Sequence, residues 1–358
     1  MKSQLILSSF ILLVSTSTLI AQNNKELARQ RAMDAIELID QGKYKKSIKL
    51  LREAETLDKT EYTYPYEIAL AYAYDKQYDK AIAELEKILS YEGINSQVYQ
   101  LLGNCYSYTG NREKAIAVYD AGIEQFPNAG RLFLEKGNVY HFQKEYDAAI
   151  QNYEMGIKKD PNFPSNYCNA ARLLLSSSDK VTGLIYGEIF MNLERTTSRT
   201  QEMSELLFNT YQESISIMGD SMSIDFCEPV LIVDPKSFDI DKLPLCLVFG
   251  KHFILALSLS LAEEINLSTL SAIRTRFVEL YYETDSESYP NVLFAYQKTM
   301  LDEGLLDTYN HYLFQMANQE AFAKWRSENE EKFQAFVQWY TTEENILNIT
   351  EENVFLRN

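Results

Sequence analysis

The residues able to carry chemistry in this chain are few and scattered. His141, His252 and His311 fall in three separate stretches with helical periodicity, and none belongs to an HExxH or HxH pattern that would bring two imidazoles to one metal. There is no GxSxG, no Walker-type loop and no GxGxxG, so neither a strained serine turn nor a phosphate cradle is encoded. The carboxylate pairs Glu263-Glu264, Asp302-Glu303, Glu330-Glu331 and Glu343-Glu344 have the right type for general acid–base work, but on an acidic helical surface such pairs are ordinarily solvated. The expectation is a non-enzyme without catalytic residues, metal or cofactor. A hydrolase in residues 200–358 would be reopened by three polar side chains converging in one pocket. Cys105, Cys168, Cys227 and Cys246 show no CxxC or metal spacing. Cys227 and Cys246 flank one irregular segment and are the pair to test for a disulfide; the alternative is separate buried thiols.

The elements that must position these residues are helical. Among 358 residues there are 13 Gly and 8 Pro, about half the usual combined share of about 12%, which argues against collagen-like, low-complexity or many-turned β chains. Lys+Arg number 34 against 51 Asp+Glu, a net charge of −17, and no basic run is present, so neutralising nucleic-acid phosphates is excluded as a role. Lys2, the apolar stretch Leu5 to Val14 and Leu19-Ile20-Ala21 before Gln22 read as a secretory signal peptide over 1–21. Cleavage after Ala21 would deliver the chain to the periplasm or the exterior. Leu245 to Ala262 is apolar but contains Lys251 and His252, and is read as a buried helix rather than a span. The mature chain is therefore expected to lack an integral membrane segment.

A 34-residue period organises the first half. Tyr99, Leu102, Gly103, Tyr106, Ala115, Tyr119 and Pro127 recur 34 positions later as Phe133, Lys136, Gly137, Tyr140, Ala149, Tyr153 and Pro161. Going back by 34 from the same set reaches Pro65, Ile68, Ala69, Tyr72, Ala81, Leu85 and Gly93. Ala35, Leu38, Ser47 and Leu51 keep the register in a first copy. Four contiguous copies result, 28–61, 62–95, 96–129 and 130–163, with a degenerate fifth over 164–195. Each reads as two amphipathic helices, Gly42 and Gly110 falling at the turn within a pair and Pro127 and Pro161 closing the second helix. The small residues Gly103 and Gly137 are expected against Ala115 and Ala149. One helix pair cannot bury its own apolar face, so the copies must stack. The pattern resembles the tetratricopeptide repeat (TPR) family, which implies an all-α fold: an α-solenoid over 22–195.

In that family the first helices line a concave groove, with repeat positions 2, 5, 9, 12 and 13 facing inward. Carried onto this sequence, the resemblance implies a row at position 9, Ile36, Leu70, Asn104, Asn138 and Arg172, whose last three members are polar. Position 13 reads Asp40, Tyr74, Tyr108, Phe142 and Ser176, and His141 and Gln100 share the strip. Some members clamp a peptide carboxylate with Lys, Asn and Arg, but position 5 here holds Tyr66, Gln100, Leu134 and Cys168 instead of lysines. The groove residues implied are Asn104, Asn138, Arg172, Tyr74, Tyr108, Phe142, His141 and Gln100. They would offer amides to an extended backbone and rings to its side chains. Against this stands simple packing of the aromatics on the adjacent repeat.

The remainder, 196–358, is read as an acidic, mainly helical C-terminal domain, with helices near 198–217, 245–263, 268–283, 289–302, 305–318 and 319–341 and a short strand at Val230 to Val233. Residues 28–163 carry 18 basic and 21 acidic side chains, whereas 164–358 carry 14 and 29. A basic partner would thus meet the second half. The apolar run Leu184 to Met191 is expected to pack on the domain C-terminal to it. The leading functional reading is a non-enzymatic protein–protein interaction scaffold of the cell envelope that holds a polypeptide segment in the groove. The alternative is a carbohydrate or small-ligand binding protein using the aromatic row.

Overall fold

A computed structural model describes residues 22–219, 221–228 and 243–357. The signal-peptide expectation for 1–21 and the strand expected at 230–233 lie outside the described residues. The chain forms two compact units divided between Val139 and Tyr140, within one helix.

The first unit contains α1 (22–40), α2 (Tyr44–Leu57), α3 (Thr63–Tyr74), α4 (Tyr78–Ile88), α5 (Ser96–Tyr108), α6 (Arg112–Gln125) and most of α7 (Gly130–Phe142). From α2 to α6 each helix packs on the next in sequence, as a solenoid requires. The core is built by repeat-signature side chains: Ala69, Ala81, Leu85, Leu102, Ala115 and Tyr119 are buried together. Gly103 is needed for a reason other than its expected meeting with Ala115. A Cβ at Gly103 would overlap the Tyr119 ring, so the aromatic side chain fills the space that the glycine leaves.

One backbone feature recurs every 34 residues. Gly42, Lys76, Gly110 and Lys144 all take left-handed conformations, with φ of +71°, +58°, +78° and +63°. At each, the next amide reaches back five residues, as in Lys43 N to Leu38 O at 2.8 Å, Gln77 N to Tyr72 O at 2.8 Å, Asn111 N to Tyr106 O at 2.9 Å and Glu145 N to Tyr140 O at 3.0 Å. This helix-ending bond pattern satisfies carbonyls that the helix leaves open. Two of the four positions bear lysine where glycine would be unstrained.

The second unit continues with α8 (Tyr146–Lys159), α9 (Pro164–Leu175), α10 (Lys180–Glu194) and α11 (Ser198–Ser214). The chain then turns into a two-stranded antiparallel hairpin, β1 (Ile215–Met218) and β2 (Ser221–Ile224), with Ile215 opposite Ile224. The helix expected to reach 217 therefore stops at Ser214; the β-branched Ile215 and Ile217 alternate with serine and suit a strand better than a helix end. After it come α12 (Leu245–Ser260), α13 (Leu267–Thr284), α14 (Val292–Asp302), α15 (Leu306–Leu313), α16 (Gln319–Glu328) and α17 (Glu330–Thr341). The single helix expected over 319–341 breaks at Asn329, whose side-chain amide donates to the Trp325 carbonyl at 3.0 Å instead of continuing the helix.

α10 is buried along nearly its whole length, from Val181 to Asn192, and packs on α9, α11, α12 and α14. The fifth helix pair, α9–α10, belongs to the same compact unit as everything after residue 196. Cys227 and Cys246 form a disulfide with Cα atoms 6.2 Å apart, while Cys105 and Cys168 are buried free thiols. Of the two alternatives left by the sequence, the pair holds for Cys227 and Cys246 and separate thiols for the other two.

Candidate functional site

In the first unit α3, the start of α4 and α5 enclose a cleft of about 460 Å³, within the size range of small-ligand and side-chain pockets. Four of the expected groove residues line it together: Tyr74, Gln100, Asn104 and Tyr108. Tyr74 and Tyr108 are the last residues of α3 and α5 and stand 57% and 69% exposed. Each also leans on a tyrosine from the preceding helix pair. The Tyr74 ring is tilted 6.3 Å from Tyr44, and Tyr108 stacks 5.1 Å from Tyr78. One side of each ring is thus packed on the adjacent repeat, and much of the rest is open.

The polar row is less open than the sequence implied. Asn104 Oδ1 accepts the hydroxyl of the buried Tyr119 at 2.5 Å, so this amide helps hold the core aromatic in place. Glu135, a residue not among the expected set, accepts from Gln100 Nε2 at 2.8 Å and from Asn138 Nδ2 at 3.2 Å. Its place four residues after Arg131 on the first helix of a repeat is the signal that could have flagged it. Lys76 and Tyr66 also line the cleft. Burial pushes the Tyr66 hydroxyl up to about 12, with Glu67 adding to the effect, so it remains a protonated donor at neutral pH. Burial likewise pushes the Cys105 thiol in the cleft floor up to about 11, leaving it unreactive.

His141, Phe142 and Arg172 belong to the second unit. Phe142 is 85% exposed at the end of α7. His141 lies edge-on to Tyr146, with ring centroids 5.9 Å apart. Arg172, expected to receive a ligand carboxylate, donates from Nη2 to Glu202 on α11 at 2.6 Å, and both groups are solvent-exposed. The carboxylate pairs remain at the surface: Asp302 is bonded to Lys298, and Glu264 accepts from Asn266. Among the described residues no group of three or more His, Cys, Asp or Glu could hold a metal ion, and no helix is long and apolar enough to cross a membrane.

Residues 72–136 and 130–163 match family models of the tetratricopeptide repeat. No curated protein matches the chain. Among solved structures, the MamA protein is 18% identical, covering 47% of this chain and 92% of its own, with a TM-score of 0.38. PilF of Pseudomonas aeruginosa is 18% identical over 53% of this chain and 86% of its own, with a TM-score of 0.45. YrrB, described as a TPR protein with an unusual peptide-binding site, is 18% identical over 51% and 94%, with a TM-score of 0.36.

Proposed function

We propose that the chain, which matches tetratricopeptide repeat models over residues 72–136 and 130–163, acts as an interaction scaffold whose repeats bind an extended polypeptide segment in the α3–α5 cleft, without catalysis by the repeats. The observation that carries this reading is the cleft itself. Two half-open tyrosine rings flank the amides of Gln100 and Asn104, an arrangement that suits alternate side chains and main-chain groups of a peptide. Within the second unit, a ligand carboxylate would reach the Arg172 guanidinium only in competition with Glu202.

Panning a random dodecapeptide phage library on the purified chain tests this. Enriched peptides should bind the wild type and lose about tenfold or more in affinity on Tyr74→Ala/Tyr108→Ala. Helical circular dichroism should be unchanged, because both rings are largely exposed. Failure to enrich any peptide, or equal binding by the double variant, overturns the reading. A carbohydrate stacked on the open part of Tyr108 is the second reading, favoured by the ring's 69% exposure. A glycan array on the same two proteins separates the two.

We place the protein in the cell envelope or outside the cell, processed after Ala21. The Cys227–Cys246 disulfide supports this, since such bonds persist in oxidising compartments. Mass spectrometry of the natively produced chain should find Gln22 as the first residue.

A further inference from the structure

Ser268 and His311 line one cleft of the second unit with Asp307 beside the far edge of the imidazole, and we propose that the three form a serine-nucleophile set that hydrolyses small carboxylic esters. Ser268 is the second residue of α13, while Asp307 and His311 lie four apart on α15. The Ser268 Oγ is 3.3 Å from His311 Nε2. His311 Nδ1 lies 2.9 Å from the main-chain oxygen of Asp307 and 3.4 Å from its Oδ1. Facing two oxygens, Nδ1 can only be the donor, which leaves the Nε2 lone pair toward the serine hydroxyl. This is the tautomer required of a general base.

The surroundings hold that arrangement. The His311 ring is 2% exposed and stacks on Trp325, centroids 4.1 Å apart and planes 9° from parallel. Asp307 Oδ1 accepts from Ser271 Oγ at 2.7 Å. Burial raises the pKa of Asp307, but the hydrogen bonds from His311 and Ser271 outweigh it and hold the group below its usual range. Ser268, by contrast, is exposed. Ser268 and His311 open on a cleft of about 610 Å³ that Phe208, Ile265, Leu267 and Trp325 line on its apolar side and the opposite charges of Lys324 and Glu328 on its polar side. The amides of Ser268 and Thr269 are occupied by Asn266 Oδ1, both at 3.0 Å. Charge on an oxyanion would therefore rely on Lys324 and the positive end of α13.

The chemistry balances with water alone. As Ser268 Oγ bonds to the ester carbonyl carbon, its proton passes to His311 Nε2 and the carbonyl pair moves onto oxygen. That pair returns, the bond to the alkoxy oxygen breaks, and the leaving alcohol takes the proton from Nε2. Water then attacks the acyl carbon with its proton going to Nε2. The Ser268–acyl bond breaks, the proton returns to Oγ, and a carboxylic acid departs.

The test uses the full chain, an alkyl fluorophosphonate and p-nitrophenyl acetate. The probe should phosphonylate Ser268, identified by tryptic mass spectrometry. Labelling and ester hydrolysis should vanish in Ser268→Ala, an exposed site whose change leaves the fold intact. Both should fall by about 100-fold or more in His311→Gln. Asp307 is a positioning residue: Asp307→Asn should slow labelling, and Asp307→Glu, which keeps a carboxylate for His311 Nδ1, should restore part of the rate. An unlabelled wild type, a label on another residue, or ester hydrolysis undiminished in Ser268→Ala would overturn the proposal.

Discussion

Glu188 and Arg274 are 86 residues apart in sequence and meet through two 2.8 Å hydrogen bonds in the interior of the second unit. Both are almost wholly buried. Arg274 also donates to Asn310 Oδ1 and to the Tyr211 hydroxyl, each at 2.8 Å. Glu188 accepts further from Gln297 and Tyr309, at 2.7 and 2.9 Å. Asn192 extends the chain of bonds from Tyr309 to Tyr340. Burial, then the charge of Glu188, pushes the Tyr309 hydroxyl far above its ordinary range, which keeps it a donor. The helices α10, α11, α13, α14, α15 and α17 are all tied by this one network.

Removing one partner leaves the other charge buried and alone. Arg274→Ala or Glu188→Ala should each cost about 3–5 kcal/mol, whereas replacing both with apolar residues of similar volume should cost much less. Urea unfolding of the two single variants and of Glu188→Leu/Arg274→Met measures the difference. Additive losses would mean that the pair is not coupled.

The left-handed lysines make a prediction of opposite sign. Lys144→Gly and Lys76→Gly should stabilise by roughly 0.5–1 kcal/mol each, since the strain relieved exceeds the added unfolded-state entropy. Gly110→Ala should destabilise by a similar amount. Thermal midpoints rising for the lysine variants and falling for the glycine variant are the expected result.

Gly103→Ala should destabilise by about 1–3 kcal/mol, because its methyl would collide with the Tyr119 ring. If the ring is the cause, Gly103→Ala should cost markedly less in a Tyr119→Leu background. A double-mutant cycle by denaturant titration checks it.

The disulfide closes a loop with a sequence separation of 19. Reducing it, or making Cys227→Ser/Cys246→Ser, should cost about 3 kcal/mol by loop-closure entropy. Iodoacetamide should leave Cys105 and Cys168 unmodified in the native state, because burial raises both thiols.

Acid should weaken the second unit around Asp285. Its burial alone would raise the pKa, but hydrogen bonds from Lys251, Thr284 and His252 prevail and hold the carboxyl well below the usual range. A carboxylate depressed in the fold stabilises above its unfolded pKa of about 3.9, and that contribution is lost as pH falls below it. His252 is lowered by burial, which Asp285 only partly offsets. The unfolded state therefore takes up that proton first, and stability declines below about pH 6.5. Asp285→Asn should flatten the part of the pH–stability curve below about pH 4.

Much of the first unit was legible without coordinates, because a repeat writes the same packing problem several times. The 34-residue register located the helix pairs and their turns, and the resemblance to the tetratricopeptide repeat implied a shared strip for Tyr74, Gln100, Asn104 and Tyr108, which line one cleft. The hydrogen bonds that commit those side chains were not legible. Nothing in the types of Asn104 and Tyr119 says that one accepts from the other, and Glu135 joins Gln100 and Asn138 only once α5 and α7 lie together.

In the second unit the periodicity of helices could be read, but not what meets inside. The one strong clue was Glu188, a charge within the apolar run Leu184 to Met191, since a buried carboxylate demands a cation. Which cation depended on a contact 86 residues away. Asp307 and His311, four apart, already shared a helical face, but only tertiary packing brought Ser268 to the imidazole. Local sequence determines periodicity and turn conformation through short-range sterics and burial. Convergence of distant polar groups depends on how helices pack, and that is decided by the whole core at once.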